Sequence, residues 1–145
     1  MLVRDILATK QIGKIISVAP GDKVSSAAKL LSEMRIGAVI VREEGNEIDG
    51  ILSERDIVRE LGRNGSGCLD NKVSKLMTSN VKSCSPMDTS QQVMQMMTDG
   101  RFRHMPVMED GKLIGVVSIG DVVAARIKEV QFENDAMAEM LAGNI

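Results

Sequence analysis

The sequence predicts an α/β (α+β) fold built from two copies of one unit. Three observations carry this. Residues 18–58 and 84–123 repeat one pattern: VAPGDKVSSAAKLL answers CSPMDTSQQVMQMM, and GAVIVREEGNEIDGILSERDIV answers HMPVMEDGKLIGVVSIGDVV. Within each copy the apolar spacing switches from helical to short strand-like runs. Each copy then closes on Ser-x-x-Asp, as Ser53/Asp56 and Ser118/Asp121. A repeat of this length is a supersecondary unit that buries its apolar face against a neighbour.

The elements follow in order. Val3-x-x-Ile6-Leu7-Ala8-Thr9 resembles Val73-x-x-Leu76-Met77-Thr78, and both read as a short helical turn. In copy one a longer link, KQIGK (10–14), follows that turn. Short strands are expected around Ile15–Val18 and Val81–Cys84. Asp22 and Asp88 each follow Pro-x and stand where an N-cap is expected. Val24, Ala27, Ala28 and Leu31 then fall on one helix face, as do Ser90, Val93, Met94 and Met97. Ala38–Val41 and Met105–Met108 read as strands, followed by the turns EEGNEIDG and EDG and by second strands at Ile51-Leu52 and Leu113–Val117. Pro106 has no N–H to give a ladder, so it belongs at a strand start or an unpaired edge. Helices are expected over 54–61 and 119–130. The segment GRNGSGCLDN (62–71) reads as a glycine-rich junction. The resulting division is a first repeat at 1–66, a second at 67–130 and a helical tail at 131–145. Ile127, Val130, Asn134, Met137 and Leu141 form a stripe on that tail, which fits packing on its own domain or a contact with a second copy.

Composition excludes several functions. The net charge of -2 over 145 residues gives no general attraction to nucleic acid or an anionic membrane. There is no Trp or Tyr and only two Phe, too few platforms for single-strand stacking. No apolar run reaches spanning length, and MLVRDILATK lacks a signal-peptide core. Cys68 and Cys84 form no disulfide framework and no CxxC pair, so a reduced, cytoplasmic protein is expected. His104 is the single histidine and cannot build a His/Cys metal site alone. Walker and GxGxxG loops are absent, and nothing places a nucleophile beside a base. A non-enzyme is expected.

Ser-x-x-Asp at a strand-to-helix junction is a capping box. Its double occurrence, around the unlike pairs Glu54-Arg55 and Ile119-Gly120, points further. A helix N-terminus offers free N–H groups and partial positive charge to a phosphate. The Ser hydroxyl adds a donor, and an Asp carboxylate accepts from both hydroxyls of a diol. Phosphate with a sugar diol describes a ribonucleotide.

These residues resemble a tandem pair of cystathionine-β-synthase (CBS) domains, through Gly50-Ile-Leu-Ser-Glu-Arg-Asp56, Gly115-Val-Val-Ser-Ile-Gly-Asp121 and Arg103-His-Met-Pro-Val107. The resemblance covers residues 2–130 and, over 102–132, looks like a bacterial subgroup of stand-alone pairs. It implies two β-α-β-β-α repeats packed as a pseudo-twofold pair, ligand clefts between them, and frequent assembly into a homodimer. It implies that Asp56 and Asp121 take ribose hydroxyls and that Ser53 and Ser118 lie near phosphate. The backbone around Ile16 and Cys84 would meet the adenine edge, with Gly37-Ala38-Val39 and His104-Met105-Pro106 at equivalent places. Copy one departs there from the family's His-x-Pro pattern. Arg55 is the best-placed phosphate partner; Arg101, Arg103, Lys10 and Lys14 are weaker ones, each also readable as a solvated surface charge.

Two functions compete. The first is a nucleotide sensor for signal transduction or energy sensing, with AMP first and NAD(H), ADP, ATP or S-adenosylmethionine sharing the adenosine part. The second is a structural dimerisation module without ligand. A sensor would signal to a downstream protein that the sequence does not name, or buffer a nucleotide.

Overall fold

The computed structural model describes residues 1–10 and 15–143. In chain order the elements are α1 (Val3–Thr9), β1 (Ser17–Val18), α2 (Val24–Met34), β2 (Ala38–Val41), β3 (Gly50–Ser53) and α3 (Glu54–Asn64). A 3-10 turn (Ser66–Asp70) leads to α4 (Val73–Leu76), α5 (Ser90–Gly100), β4 (His104–Glu109), β5 (Lys112–Ser118) and α6 (Ile119–Leu141). The order is that of a mixed α/β repeat, as expected. Among the described residues no helix is long and apolar enough to cross a membrane.

Two compact units form. One comprises Ile12–Lys82 with Asp110–Ile114; the other comprises Met1–Gln11, Ser83–Glu109 and Gly115–Ile145. They do not follow the sequential order of the repeats. The opening turn α1 groups with the second copy, and its look-alike α4 groups with the first. The same backbone bonds hold both turns. Val3 and Arg4 N–H donate to the carbonyls of Asp88 (2.9 Å) and Pro86 (2.9 Å), and Ser90 N–H donates to Met1 (2.9 Å). Val73 and Ser74 N–H likewise donate to Asp22 (2.8 Å) and Pro20 (3.0 Å), and Val24 N–H donates to Asn71 (2.9 Å).

Each unit has its own core. Val24, Ala27 and Leu31 of α2 pack with Val39, Val41, Leu52, Ile57 and Val73. Val93 and Met97 of α5 pack with Val3, Ile6, Met105, Val107, Val117, Val122 and Ala125. The helix faces read from spacing are therefore the buried ones; Ala28 and Met94 lie at their margins. Ser90, the one buried polar side chain among the described residues, donates to Glu129 Oε1 at 2.9 Å, and Arg126 pairs with the same carboxylate.

Helix starts differ from expectation by one residue. Asp22 and Asp88 are not N-caps: their carboxylates accept the N–H of Ala19 (3.0 Å) and Ser85 (2.8 Å), closing the turn before each helix. The N-caps are Lys23 and Thr89. Thr89 makes a full capping box with Gln92, whereas a lysine side chain cannot accept an amide. The junction is also more ordered than a loop. Gly62 lies within α3, and Gly65 ends it at φ 77°, a conformation suited to glycine. The tail is no separate element either, because α6 runs unbroken for 23 residues.

The first copy forms a three-stranded sheet in the order β1-β2-β3, with β1 parallel and β3 antiparallel to β2. In the second copy β4 pairs with β5, and the leading strand shrinks to one parallel bridge, Cys84 to Val107. Pro106 explains the loss. The backbone bonds align Ala38-Val39-Ile40, not Gly37-Ala38-Val39, with His104-Met105-Pro106, a shift of one residue from the expected match: in copy one Ile40 N–H donates to the Ile16 carbonyl at 3.3 Å, and Pro106 holds that place without an N–H. Only the bonds from Cys84 N–H to Pro106 O (3.0 Å) and from Met108 N–H to Cys84 O (2.8 Å) remain. Pro106 is thus inside β4, with its missing donor turned to the edge.

Candidate functional site

Two strand-to-helix corners carry the residues that the repeat singles out. In the first, Ala38 pairs with Ser53 across β2 and β3, and Glu54 N–H donates to the Gly37 carbonyl at 2.9 Å. In the second, Ile119 N–H donates to the Arg103 carbonyl at 2.8 Å. The Ser-x-x-Asp pairs are reciprocal capping boxes. Ser53 Oγ accepts from Asp56 N–H (3.2 Å), and Asp56 Oδ2 accepts from Ser53 N–H (2.9 Å). The matching distances for Ser118 and Asp121 are 3.1 and 2.9 Å. Capping and ligand contact are compatible here, because each box uses one carboxylate oxygen and holds the carboxyl at the helix mouth.

Glycine makes the approach to each corner. A Cβ at Gly50 would fall 2.7 Å from the Thr78 carbonyl oxygen and 2.8 Å from Met77 Sδ. One at Gly115 would fall 2.8 Å from Leu7 Cδ2. The turn lodged in each unit therefore seats its side chain against the strand that leads to the serine.

The corners part company at the carboxylate. Asp56 has Arg59 3.5 Å from Oδ1. Asp121 has Lys10, whose Nζ lies 2.9 Å from Oδ2 and donates to the Val116 carbonyl at 2.7 Å. Burial of Asp121 works to raise its pKa, but the Ser118 N–H and the Lys10 ammonium outweigh it and hold the carboxyl below its usual value. Lys10 is thus no solvated surface charge; it is only 28% exposed.

The remaining expected residues sort by side-chain access. In the first unit, Ile16 and Gly37 are half-buried at the corner, Ala38 opens β2, and Val39 has its side chain in the core and its backbone paired with Leu52. Arg55 is exposed in the first turn of α3. Lys14 lies outside the described residues. In the second unit, Arg101 and Arg103 are exposed and His104 is half-buried at the start of β4. Met105 and Pro106 are buried, and the Pro106 carbonyl accepts from Cys84 N–H. Cys84 is buried, and burial, helped by the Asp88 charge, pushes its thiol up to about 12, so it is a poor nucleophile at neutral pH.

The outer face of α6 is apolar. Ile127, Val130, Met137 and Leu141 are exposed, at 42% or more, with Phe132 at 76%. The stripe read from the tail therefore does not pack on its own unit.

Comparison with known proteins agrees with this construction. The CBS domain model matches residues 3–63 and 73–128. The chain is 36% identical over 126 residues to the mitochondrial CBS domain-containing protein CBSX3 of Arabidopsis thaliana, spanning 84% of this chain and 61% of that one. It is 28% identical to the CBS domain-containing protein YhcV of Bacillus subtilis, over 83% and 81% of the two chains. A crystal structure of a CBS-domain containing protein from Agrobacterium tumefaciens superposes with a TM-score of 0.83 at 41% identity, over 87% of this chain and 99% of that one. The CBS domain pair of protein MJ0100, crystallised with 5'-methylthioadenosine and S-adenosyl-L-methionine, shares the fold with a TM-score of 0.77 at 24% identity, over 89% and 98%. The duplicated units, with their paired Ser-x-x-Asp corners, belong to the CBS domain family, and the chain is a CBS pair, a regulatory module.

Proposed function

We propose that the chain is a non-catalytic sensor that binds an adenine nucleotide at its Ser-x-x-Asp corners, with AMP as the first candidate and NAD(H), ADP and ATP sharing the recognised part. The observation that carries this is the corner itself, built twice with the same backbone bonds around a carboxylate and a helix N-terminus. Asp56 and Asp121 would accept the ribose diol. Ser53 and Ser118, with the first N–H groups of α3 and α6 and the Arg55 guanidinium, would meet phosphate. The chain beside Ile16, Gly37, Cys84 and His104 would meet the adenine edge. The adenosine compounds crystallised with the MJ0100 domain pair support the ligand class. The buried, free cysteines suit a reducing compartment such as the cytoplasm.

A second reading concerns assembly. The exposed apolar face of α6 supports a homodimer in which a second copy covers Ile127, Val130 and Met137. Ligand binding would then act on the pose of the subunits and, through it, on a downstream protein.

Isothermal titration of ligand-stripped protein with AMP tests the first reading. Binding heat is expected, with a melting temperature that climbs as nucleotide is added. A folded sample giving neither with any of the four nucleotides rejects it. Sedimentation of wild type against Ile127→Glu tests the dimer; a wild-type monomer rejects that part alone.

A further inference from the structure

Lys10 is the feature that the repeat does not account for. In copy one the β3 edge is closed by backbone: Thr78 N–H donates to Ile51 O (2.9 Å), and Ile51 N–H donates to Thr78 O (3.0 Å). The corresponding carbonyl in copy two belongs to Val116. There α1 runs seven residues where α4 runs four, so the residue matching Thr78, Ala8, is helical and cannot form a strand bridge. The Lys10 ammonium fills that place and reaches on to Asp121.

An ammonium has three protons. Here one goes to Val116 O and one to Asp121 Oδ2. The ammonium has a third proton to give, and Asp121 keeps its Oδ1 outside both the capping box and the lysine contact, so the second corner can offer a donor as well as an acceptor. We infer that Lys10 is a positioning and specificity residue of the second corner, fixing the Asp121 carboxylate and donating to an oxygen of the bound nucleotide. Among the described residues the first corner has no equivalent, since Arg59 approaches Asp56 at Oδ1 and from its own helix. This inference rests on the reading that the corners bind a ribonucleotide.

Calorimetric titration with AMP, on Lys10→Met, Lys10→Arg and Asp121→Asn in the full chain, separates the two. Methionine keeps an apolar stem and removes the charge and donors. Loss of a charge-assisted hydrogen bond should weaken one binding event by roughly tenfold or more. That event is the one Asp121→Asn also weakens, and the other changes less than about twofold, a difference within the scatter of a surface substitution. Lys10→Arg restores part of the affinity. The Asp121 carboxyl, followed by carbon NMR, titrates at higher pH in Lys10→Met. If Asp121→Asn weakens binding and Lys10→Met does not, the role of Lys10 is overturned while the corner reading stands. Equal weakening of both events with no rescue by arginine also overturns it, as a general structural loss. If folded Asp121→Asn binds AMP as wild type does, the corner reading falls, and this inference with it.

Discussion

The two strand-to-helix corners share their backbone and differ in what meets the carboxylate. Around Ser53/Asp56 the neighbouring chain closes the sheet edge with a pair of peptide bonds and leaves the carboxylate to Arg59 of α3. Around Ser118/Asp121 the neighbouring chain stays helical for longer and sends in a lysine. The two copies keep the same hydrogen-bonded frame and differ in the side chains that meet the carboxylate. Symmetry of fold is therefore a poor guide to symmetry of side-chain chemistry in this molecule.

The glycines should separate the corners most. Gly50→Ala must push aside a peptide carbonyl, whereas Gly115→Ala displaces the end of a leucine side chain. Urea denaturation should show a loss near the upper end of overpacking costs, about 3 kcal/mol, for Gly50→Ala and about 1 kcal/mol for Gly115→Ala. Equal losses would mean that the two lodged turns yield alike.

Helix starts give the next effect. Thr89→Ala removes a side-chain cap from α5 and should cost about 1 kcal/mol, while Lys23→Ala on α2 should cost nearly nothing. Thermal melts of both variants decide this, and a Lys23 variant as damaged as the Thr89 one would refute the assignment.

Acid should act on the second corner through Asp121. Its pKa is depressed in the folded state, so its stabilising contribution is present above the unfolded carboxylate pKa and is lost as pH falls through the folded value. The stability gap between wild type and Asp121→Asn should narrow as pH drops through that window. A gap that stays constant through the acid range would mean that the Lys10–Asp121 pair contributes nothing to stability.

The smallest effect concerns Pro106. Pro106→Val returns an N–H to β4 and should let the chain around residue 82 pair as Ile16 does. Hydrogen exchange at residue 106 should then be slowed; rapid exchange there would show that Pro106 is not what shortens the strand.

Much of the fold was legible from residue order. The apolar run at Ala38–Val41 matched β2 end to end, and spacing marked the faces of α2 and α5, because burial acts locally on every third or fourth residue. Asp22 and Asp88 misled by one position, since a carboxylate can close the turn before a helix as readily as it can cap the helix itself. The similarity of residues 3–9 to 73–78 revealed a repeat but not its partner, because local pattern carries no record of which distant core a turn will join. Of the candidate site, the two Ser-x-x-Asp corners could be read from their spacing, and the part played by Lys10 could not. Its two bonds span more than 100 residues.

The crossed allegiance of α1 and α4 bears on how the chain folds as it is made. α1 precedes in the chain the segments its unit needs, so it reaches that unit only after Ser83–Glu109 and Gly115–Ile145 have emerged from the ribosome. The unit around β1-β2-β3 has all but its Asp110–Ile114 segment once α4 and Thr78 are out. Cutting the gene at the repeat boundary would give two fragments, each deprived of its own closing turn.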